Sequence, residues 1–240
     1  ESALALQSGK YIFEEIKDYL QNNNFINEEW NALNILVQNA STVGLLDLKM
    51  LSQNNDNNFI FFDKLNSNEF KFLYLLGSDN LEFKKNNEFI VYQGSHGDRG
   101  AEIADVILPS AAYTEQNGLY SNLEGRVQEC KKASYPIGDS LEDWKIFNLI
   151  LKKMGKNENL NNFDTLRKEV INSITNFSEF NSLPKKIIKK NNKNSSEFYS
   201  EEVLINKLDY YYTNSISRAS KTMSECRQIT ENTKKTGTNN

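Results

Sequence analysis

The sequence predicts an α/β fold: an open, mostly parallel sheet with flanking helices, followed by a C-terminal docking tail. Three observations carry this. Three apolar runs lie close together, "FKFLYLLG" at 70–77, "EFIVYQG" at 88–94 and "ADVILP" at 104–109, and each gives way to Gly or Pro and then polar residues. They are apolar throughout rather than alternating, which suits strands covered on both faces of a parallel sheet. Helical periodicity precedes and follows them.

In chain order, 9–20 reads as an amphipathic helix, with Ile12, Phe13, Ile16, Tyr19 and Leu20 on one side and Glu14, Glu15, Lys17 and Asp18 on the other. A second helix is expected from Asn27, which would cap it ahead of Glu28 and Glu29. Its buried positions would be Trp30, Leu33, Ile35, Leu36 and Val37, and Gly44 would end it. The three strands follow. Their trailing loops, "LGSDN", "GSHGDRG" and "PSAAYTEQNG", should gather at the C-terminal edge of the sheet, where open α/β folds bind ligands. Asn117-Gly118 then offers a tight turn, with Gly125 a second permissive point before extended chain. "SLEDWKIFNLILKKMG" at 140–155 is the clearest helix, with Ser140 as cap, Asp143 three residues on, and Gly155 as the stop. A shorter helix is expected at 165–174. The organisation expected is an α/β core over 1–156, an Asn/Lys-rich linker with a short helix over 157–200, a docking tail over 201–228 and a disordered terminus over 229–240.

Composition excludes several classes. A net charge of −4 and a pI of about 5.3 give no general attraction to nucleic acid or anionic lipid. The Lys-rich stretch at 184–194 lacks interleaved aromatics and reads as a solvated loop. Asn tracts at 21–24, 53–58, 156–162 and 191–194 read as loops, since they cannot fill a core. Cys130 and Cys226 lie far apart and outside any CxxC, so a reducing compartment is the default. With His96 the sole histidine and about four cysteines needed per iron–sulfur cluster, the chain is expected to hold no metal centre alone. No apolar run approaches the roughly 20 residues of a membrane span. The chain opens on Glu1 rather than Met, which suggests a removed start or part of a longer product.

The candidate site residues lie in and beside the sheet-edge loops. His96 in "GSHGDRG" reads either as a general base oriented by Asp98 or Asp105, or as a loop-shaping residue. The lack of a Ser or Cys nucleophile motif favours the second. Glu115, Glu124 and Arg126 read either as paired carboxylates with a clamping arginine, or as ion pairs holding a turn. Pro109 stops a strand, while Asn117, Gly118, Asn122 and Gly125 belong to turns. Physically this is a loop-rich sheet edge without a complete catalytic set.

The stretch "YQGSHGDRGAEIADVILPSAAYTEQNGLYSNLEGRVQ" at 92–128 closely resembles the signature of the 75 kDa iron–sulfur subunits of respiratory complex I. "SALALQSG", "LYLLGSDN", "EDWKIFNLI" and "YYTNSISRASKTMSEC" resemble the same family, in order. That family's large C-terminal domain belongs to the molybdopterin-oxidoreductase superfamily. The resemblance implies the last third of such a subunit, as a fragment or a split-gene half, on the matrix side of the mitochondrial inner membrane. It implies a chain without cofactor or catalytic residue, supporting NADH-to-ubiquinone electron transfer coupled to proton pumping. Iron–sulfur clusters and FMN would sit in neighbouring subunits. The partners implied are the N-terminal iron–sulfur part of the same subunit and other matrix-arm subunits. His96, Asp98, Asp105, Glu115, Asn122, Glu124 and Arg126 would then fix loops and contacts. Two rival readings are a pterin-binding fragment of a molybdenum oxidoreductase and a free-standing α/β binding protein.

Overall fold

The computed structural model describes residues 2–27, 30–37, 39–50, 63–78, 81, 83–156, 160, 162–174, 177, 179–184, 196–203 and 209–235. The Asn tract at 53–58, the apolar run at 59–62 and the Lys-rich stretch beyond Pro184 lie outside the described residues. The chain forms two compact units that interleave along the sequence. One comprises 1–53, 118–130 and 160–206, and the other 54–117, 131–159 and 207–240. The stretch 1–156 therefore contributes to both.

In the first unit a 3-10 turn, Ser2–Ala5, leads into α1, Gly9–Asn22. A Cβ on Gly9 would stand 2.1 Å from the Leu4 carbonyl oxygen, so the helix can begin against that turn only at a glycine. Ser8 just before it is buried. Its Oγ donates to the Tyr199 carbonyl (2.8 Å) and accepts from the Tyr199 N–H (2.7 Å). The periodicity of α1 is as predicted, yet Ile16 and Tyr19 on its apolar side are exposed.

The helix expected from Asn27 does not form. Asn27 Oδ1 accepts from the Trp30 N–H (2.8 Å), as a cap would. The Asn27 N–H, however, donates to the Trp30 carbonyl, and the Ala32 N–H to the Phe25 carbonyl, so the chain doubles back. Asn31 Oδ1 then takes the Leu33 N–H, a local bond that competes with helix, and β-branched Ile35 and Val37 add nothing in its favour. Trp30 and Leu36 are exposed. A short helix, α2 (Thr42–Asp47), contains Gly44 instead of ending there.

The second unit holds the parallel sheet, β1 (Phe72–Leu76), β2 (Phe89–Gly94) and β3 (Val106–Pro109), in spatial order β1-β2-β3. The register pairs Phe72 with Phe89, Tyr74 with Val91, Val91 with Val106, and Gly94 with Pro109. One face carries Leu73, Leu75, Ile90 and Tyr92, which form the core with Leu65. Ala101 of α3 (Arg99–Glu102) and Ile103, Ala104, Phe70, Leu81 and Phe83 pack around it. The opposite face carries Phe72, Tyr74, Leu76, Phe89, Val91, Gln93, Val106 and Leu108, by the alternation of strands.

Helix α4, Asp143–Lys153, lies on that second face, where Phe147 stacks on Tyr74 with centroids 5.5 Å apart. It starts two residues later than predicted, with Glu142 rather than Ser140 at the cap position. Leu141 makes a parallel bridge to Ser110, receiving the Ala111 N–H and donating to the Pro109 carbonyl, so it is strand-like. Ser140 is not the cap; its Oγ donates to the Ile137 carbonyl. Of the apolar residues of α4 only Ile146 is fully buried. The end matches the prediction. Gly155 (φ +75°) donates to the Lys152 carbonyl and Lys156 to the Leu151 carbonyl, a Schellman stop.

Strands β4 (Gly118–Ser121) and β5 (Val127–Cys130) form an antiparallel hairpin in the first unit. Neither Asn117 nor Gly118 has a positive φ, contrary to the turn expected there. The tight turn is at 122–126, where Gly125 has φ +78°. Helix α5, Phe163–Ser173, starts at Asn162, whose Oδ1 accepts from the Thr165 N–H (2.9 Å).

The tail forms α6 (Ser215–Ala219) and α7 (Lys221–Lys235). Asn214 and Ser217 make a reciprocal capping box at α6. Arg227 Nε donates to Asp209 Oδ2 (2.6 Å), and its guanidinium lies 4.8 Å from the Tyr212 ring centre. Helix α7 continues to Lys235, into the stretch read as disordered.

Candidate functional site

The C-terminal edge of the parallel sheet is built from the ends of its strands. β1 ends at Gly77 (φ +62°), whose N–H donates to the Gln93 carbonyl. β2 runs into the 94–98 loop. Its shape is set by Tyr92, which is 2% exposed and whose hydroxyl donates to the His96 carbonyl (2.8 Å). The two glycines flanking the loop lie against this ring. A Cβ on Gly94 would stand 2.2 Å from the Tyr92 hydroxyl, and one on Gly100 would meet the Ser78 carbonyl at 2.7 Å and the ring at 2.9 Å. Gly97, between them, has open space beside it.

His96 bonds through Nδ1 to Ser95 Oγ (2.9 Å). Asp98 caps α3, with Oδ1 accepting from the Arg99 N–H (2.9 Å), and its Oδ2 accepts from Arg218 Nε (2.7 Å). The loop and the tail thus meet: Arg218 of α6 reaches across 120 residues of sequence to the glycine-rich loop. Gly97, Asp98, Arg99, Tyr212, Ser215 and Arg218 border a cleft of about 640 Å³ there.

Asp105 stands elsewhere. It accepts from Lys85 Nζ (2.6 Å) and from the Ile90 N–H (2.8 Å), at the N-terminal ends of the strands. The hydrogen bond from Lys85, then that from Ile90, holds its carboxyl below the usual carboxylate range. The four residue steps of β2 from Ile90 to Gly94 put it on the order of 13 Å from the loop, so it cannot orient His96.

The remaining candidates divide between the units. Glu115 Oε2 accepts from the Ala112 N–H (3.0 Å), closing the turn after β3, and Asn117 Oδ1 accepts from the Lys132 N–H (3.1 Å). In the hairpin, Asn122 Oδ1 accepts from both the Glu124 and Arg126 N–H groups (3.0 Å each). Arg126 pairs with Glu124 at 3.5 Å and donates to the Asn181 carbonyl. A Cβ on Gly125 would meet Pro184 at 2.9 Å.

The sequence did not single out a buried polar cluster behind the edge. Gln93, fully buried, accepts from the Tyr74 hydroxyl and donates to Asp143 Oδ1 (2.6 Å). Gln116 donates to Asp143 Oδ2 (2.8 Å) and accepts from the Asp143 N–H (3.1 Å). Burial, then the Asp143 charge, pushes the Tyr74 phenol above its ordinary range. Next to it Glu142, 4% exposed, accepts from Trp144 Nε1 (2.8 Å) and from Lys132 and Lys145 Nζ (3.3 Å each). Burial works to raise its pKa, but the bonds from Trp144, Lys132 and Lys145 outweigh that and hold it low. The one signal available was Gln93, an amide inside an otherwise apolar strand, which a buried partner had to satisfy.

The signature described as "Molybdopterin oxidoreductase" matches residues 1–153. The chain belongs to the molybdopterin oxidoreductase family. A second signature, for the C-terminal region of an NADH-ubiquinone oxidoreductase subunit, matches residues 179–226, the region carrying α6. Among relatives, the NADH-ubiquinone oxidoreductase 75 kDa subunit of Reclinomonas americana is 37% identical over 92% of this chain and 32% of its own length. The NADH dehydrogenase [ubiquinone] iron-sulfur protein 1 of Solanum tuberosum, a mitochondrial protein, is 32% identical over 91% of this chain and 29% of its own. The mitochondrial NADH-ubiquinone oxidoreductase 78 kDa subunit of Candida albicans is 37% identical over 85% and 28%. The chain spans about a third of the length of these relatives.

The family name raises a metal–pterin group, and the glycine-rich loop is the place to test it. Close approach of a ligand to backbone needs bare glycines. At Gly94 and Gly100 that space is filled by Tyr92 and by the Ser78 carbonyl, and the outer oxygen of Asp98 is bonded to Arg218. Among the described residues no group of three or more His, Cys, Asp or Glu side chains is placed to hold a metal ion. At Gly94, Asp98 and Gly100 the residues of this edge bind one another and leave no room for such a group, while Gly97 faces the open cleft.

Proposed function

We propose that this chain is the C-terminal segment of a 75 kDa-type subunit of mitochondrial complex I. In this reading it supports NADH-to-ubiquinone electron transfer from the matrix arm and supplies no cluster ligand, cofactor contact or catalytic group of its own. The observation that carries it is the order of the two signatures with likeness to such subunits over 92% of the chain. The site geometry supports it: the sheet-edge loop is closed by Tyr92 and latched by Arg218 from within the second signature. His96, Asp98, Asp105, Glu115, Asn122, Glu124 and Arg126 act as loop and contact residues. Cys130, Cys226 and His96 are too few for a cluster that takes about four thiolates, so in this reading the clusters lie outside this segment, in the rest of the subunit and its neighbours, and FMN sits in a neighbouring subunit. The iron–sulfur part of the same subunit is the partner, in one polypeptide with this segment or beside it as a separate one. Among the described residues no helix is long and apolar enough to cross a membrane, and attachment to the membrane would come through the rest of the complex.

The test is a native gel of solubilised mitochondrial membranes, with peptides of this chain followed by mass spectrometry. Comigration with NADH-dehydrogenase activity and with cluster-bearing peptides is expected. Migration away from both, with molybdenum or pterin in the band, would replace this reading with that of an oxidoreductase fragment.

A further inference from the structure

The second face of the parallel sheet is left half open. Helix α4 covers its middle, where Phe147 stacks on Tyr74, Asp143 bonds Gln93 and Val91 is buried. Among the described residues nothing covers it at the N-terminal ends of the strands. Phe72 and Phe89 stack on each other there with centroids 6.3 Å apart, yet are 55% and 48% exposed. Val106, paired with Val91 and so two residues beyond the level of Phe89, is exposed, as is Leu76 at the far end of β1. Strands of a parallel sheet are ordinarily covered on both faces, and the other face of these same strands holds the core.

We propose that the Phe72–Phe89–Val106 face is the seat of an amphipathic helix from the cluster-bearing part of the 75 kDa-type subunit. This rests on the function proposed above. Three features favour that occupant. Relatives of this chain carry about twice its length again, and that added chain is available to complete a layered domain. The patch is also small. Its side chains expose on the order of 300 Å² together, against the roughly 800 Å² per partner of a free-standing interface. A second copy of the chain held by this patch alone would dissociate, whereas an element joined to this chain in one polypeptide, or held beside it by further contacts within the same subunit, needs no such area. The dimensions suit a single helix: three strands span about 10 Å across, close to a helix diameter.

The experiment places a photo-crosslinking phenylalanine analogue at Phe89 in the assembled complex, with the exposed Tyr135 as a control position. Crosslinked peptides joining 89 to the cluster-bearing part, and none from 135 to the same helix, are the expected result. Crosslinks from 89 to another complex subunit, to a second copy, or to nothing would overturn the inference while leaving complex membership intact. Failure of the chain to enter the complex with the native residue at 89 would instead sink the function proposed above. A second variant, Phe89→Asp, should lower incorporation several-fold while α1 and the β4–β5 hairpin keep their amide protection. Incorporation unchanged by that charge would also count against the seat.

Discussion

At Asp98 one carboxylate serves two elements, capping α3 through one oxygen and holding Arg218 through the other. Both side chains of this pair are mostly buried, at 25% and 18% exposure. Removing a charged hydrogen bond of this kind costs about 1–3 kcal/mol. Arg218→Ala should therefore speed amide exchange over 215–219 and leave the strands unchanged, which exchange mass spectrometry reads directly. The glycines of the loop are not equivalent. Gly100→Ala forces a methyl onto the Ser78 carbonyl and the Tyr92 ring and should cost about 1–3 kcal/mol. Gly97→Ala meets nothing and should be close to neutral, so urea midpoints of the two variants separate packing from mere loss of flexibility. Little of this was legible in the sequence. The loop could be placed at a sheet edge, but that Asp98 turns to Arg218 rather than to His96 depends on contacts 120 residues apart. The option that Asp105 orients His96 fails for a similar reason: nearness in sequence says nothing about which end of the strand a residue occupies, and Asp105 holds Lys85 and the Ile90 N–H instead.

Among the elements, the strands and α4 were readable because their signals are local and repeated, an apolar run or a helical period. The start of α4 was not, because Leu141 is claimed by a bridge to Ser110. The helix expected from Asn27 failed where Asn31 offered the backbone a competing local bond. The acid that opens α4 carries a pH prediction. The folded-state pKa of Glu142 is depressed, so its contribution is present above the unfolded value of about 4.3 and fades as pH falls through the lower folded value. Glu142→Gln should be less stable than the parent at pH 7, and the gap should narrow below about pH 4, as urea melts across that range would show. At the other end of α4, Gly155→Ala puts a methyl at φ +75° and should cost about 1 kcal/mol.

For the whole molecule, the two units exchange chain repeatedly, so a single cut isolates neither. Ending the chain at residue 206 would remove α6 and α7 from the second unit and nothing from the first. Amide protection should fall at the 94–98 loop and persist in α1. Sequence could not foresee the interleaving, because the unit a segment joins is decided by contacts distant in sequence. The latch between Asp98 and Arg218 also has a consequence in time. A ribosome makes the loop first and reaches its tail partner 120 residues later, a delay of roughly 6–24 s at about 5–20 residues per second. Until then the nascent loop stands unlatched, open to chaperones and proteases. A message truncated anywhere in between yields a product that can never close it, and such products should be cleared by quality control before assembly.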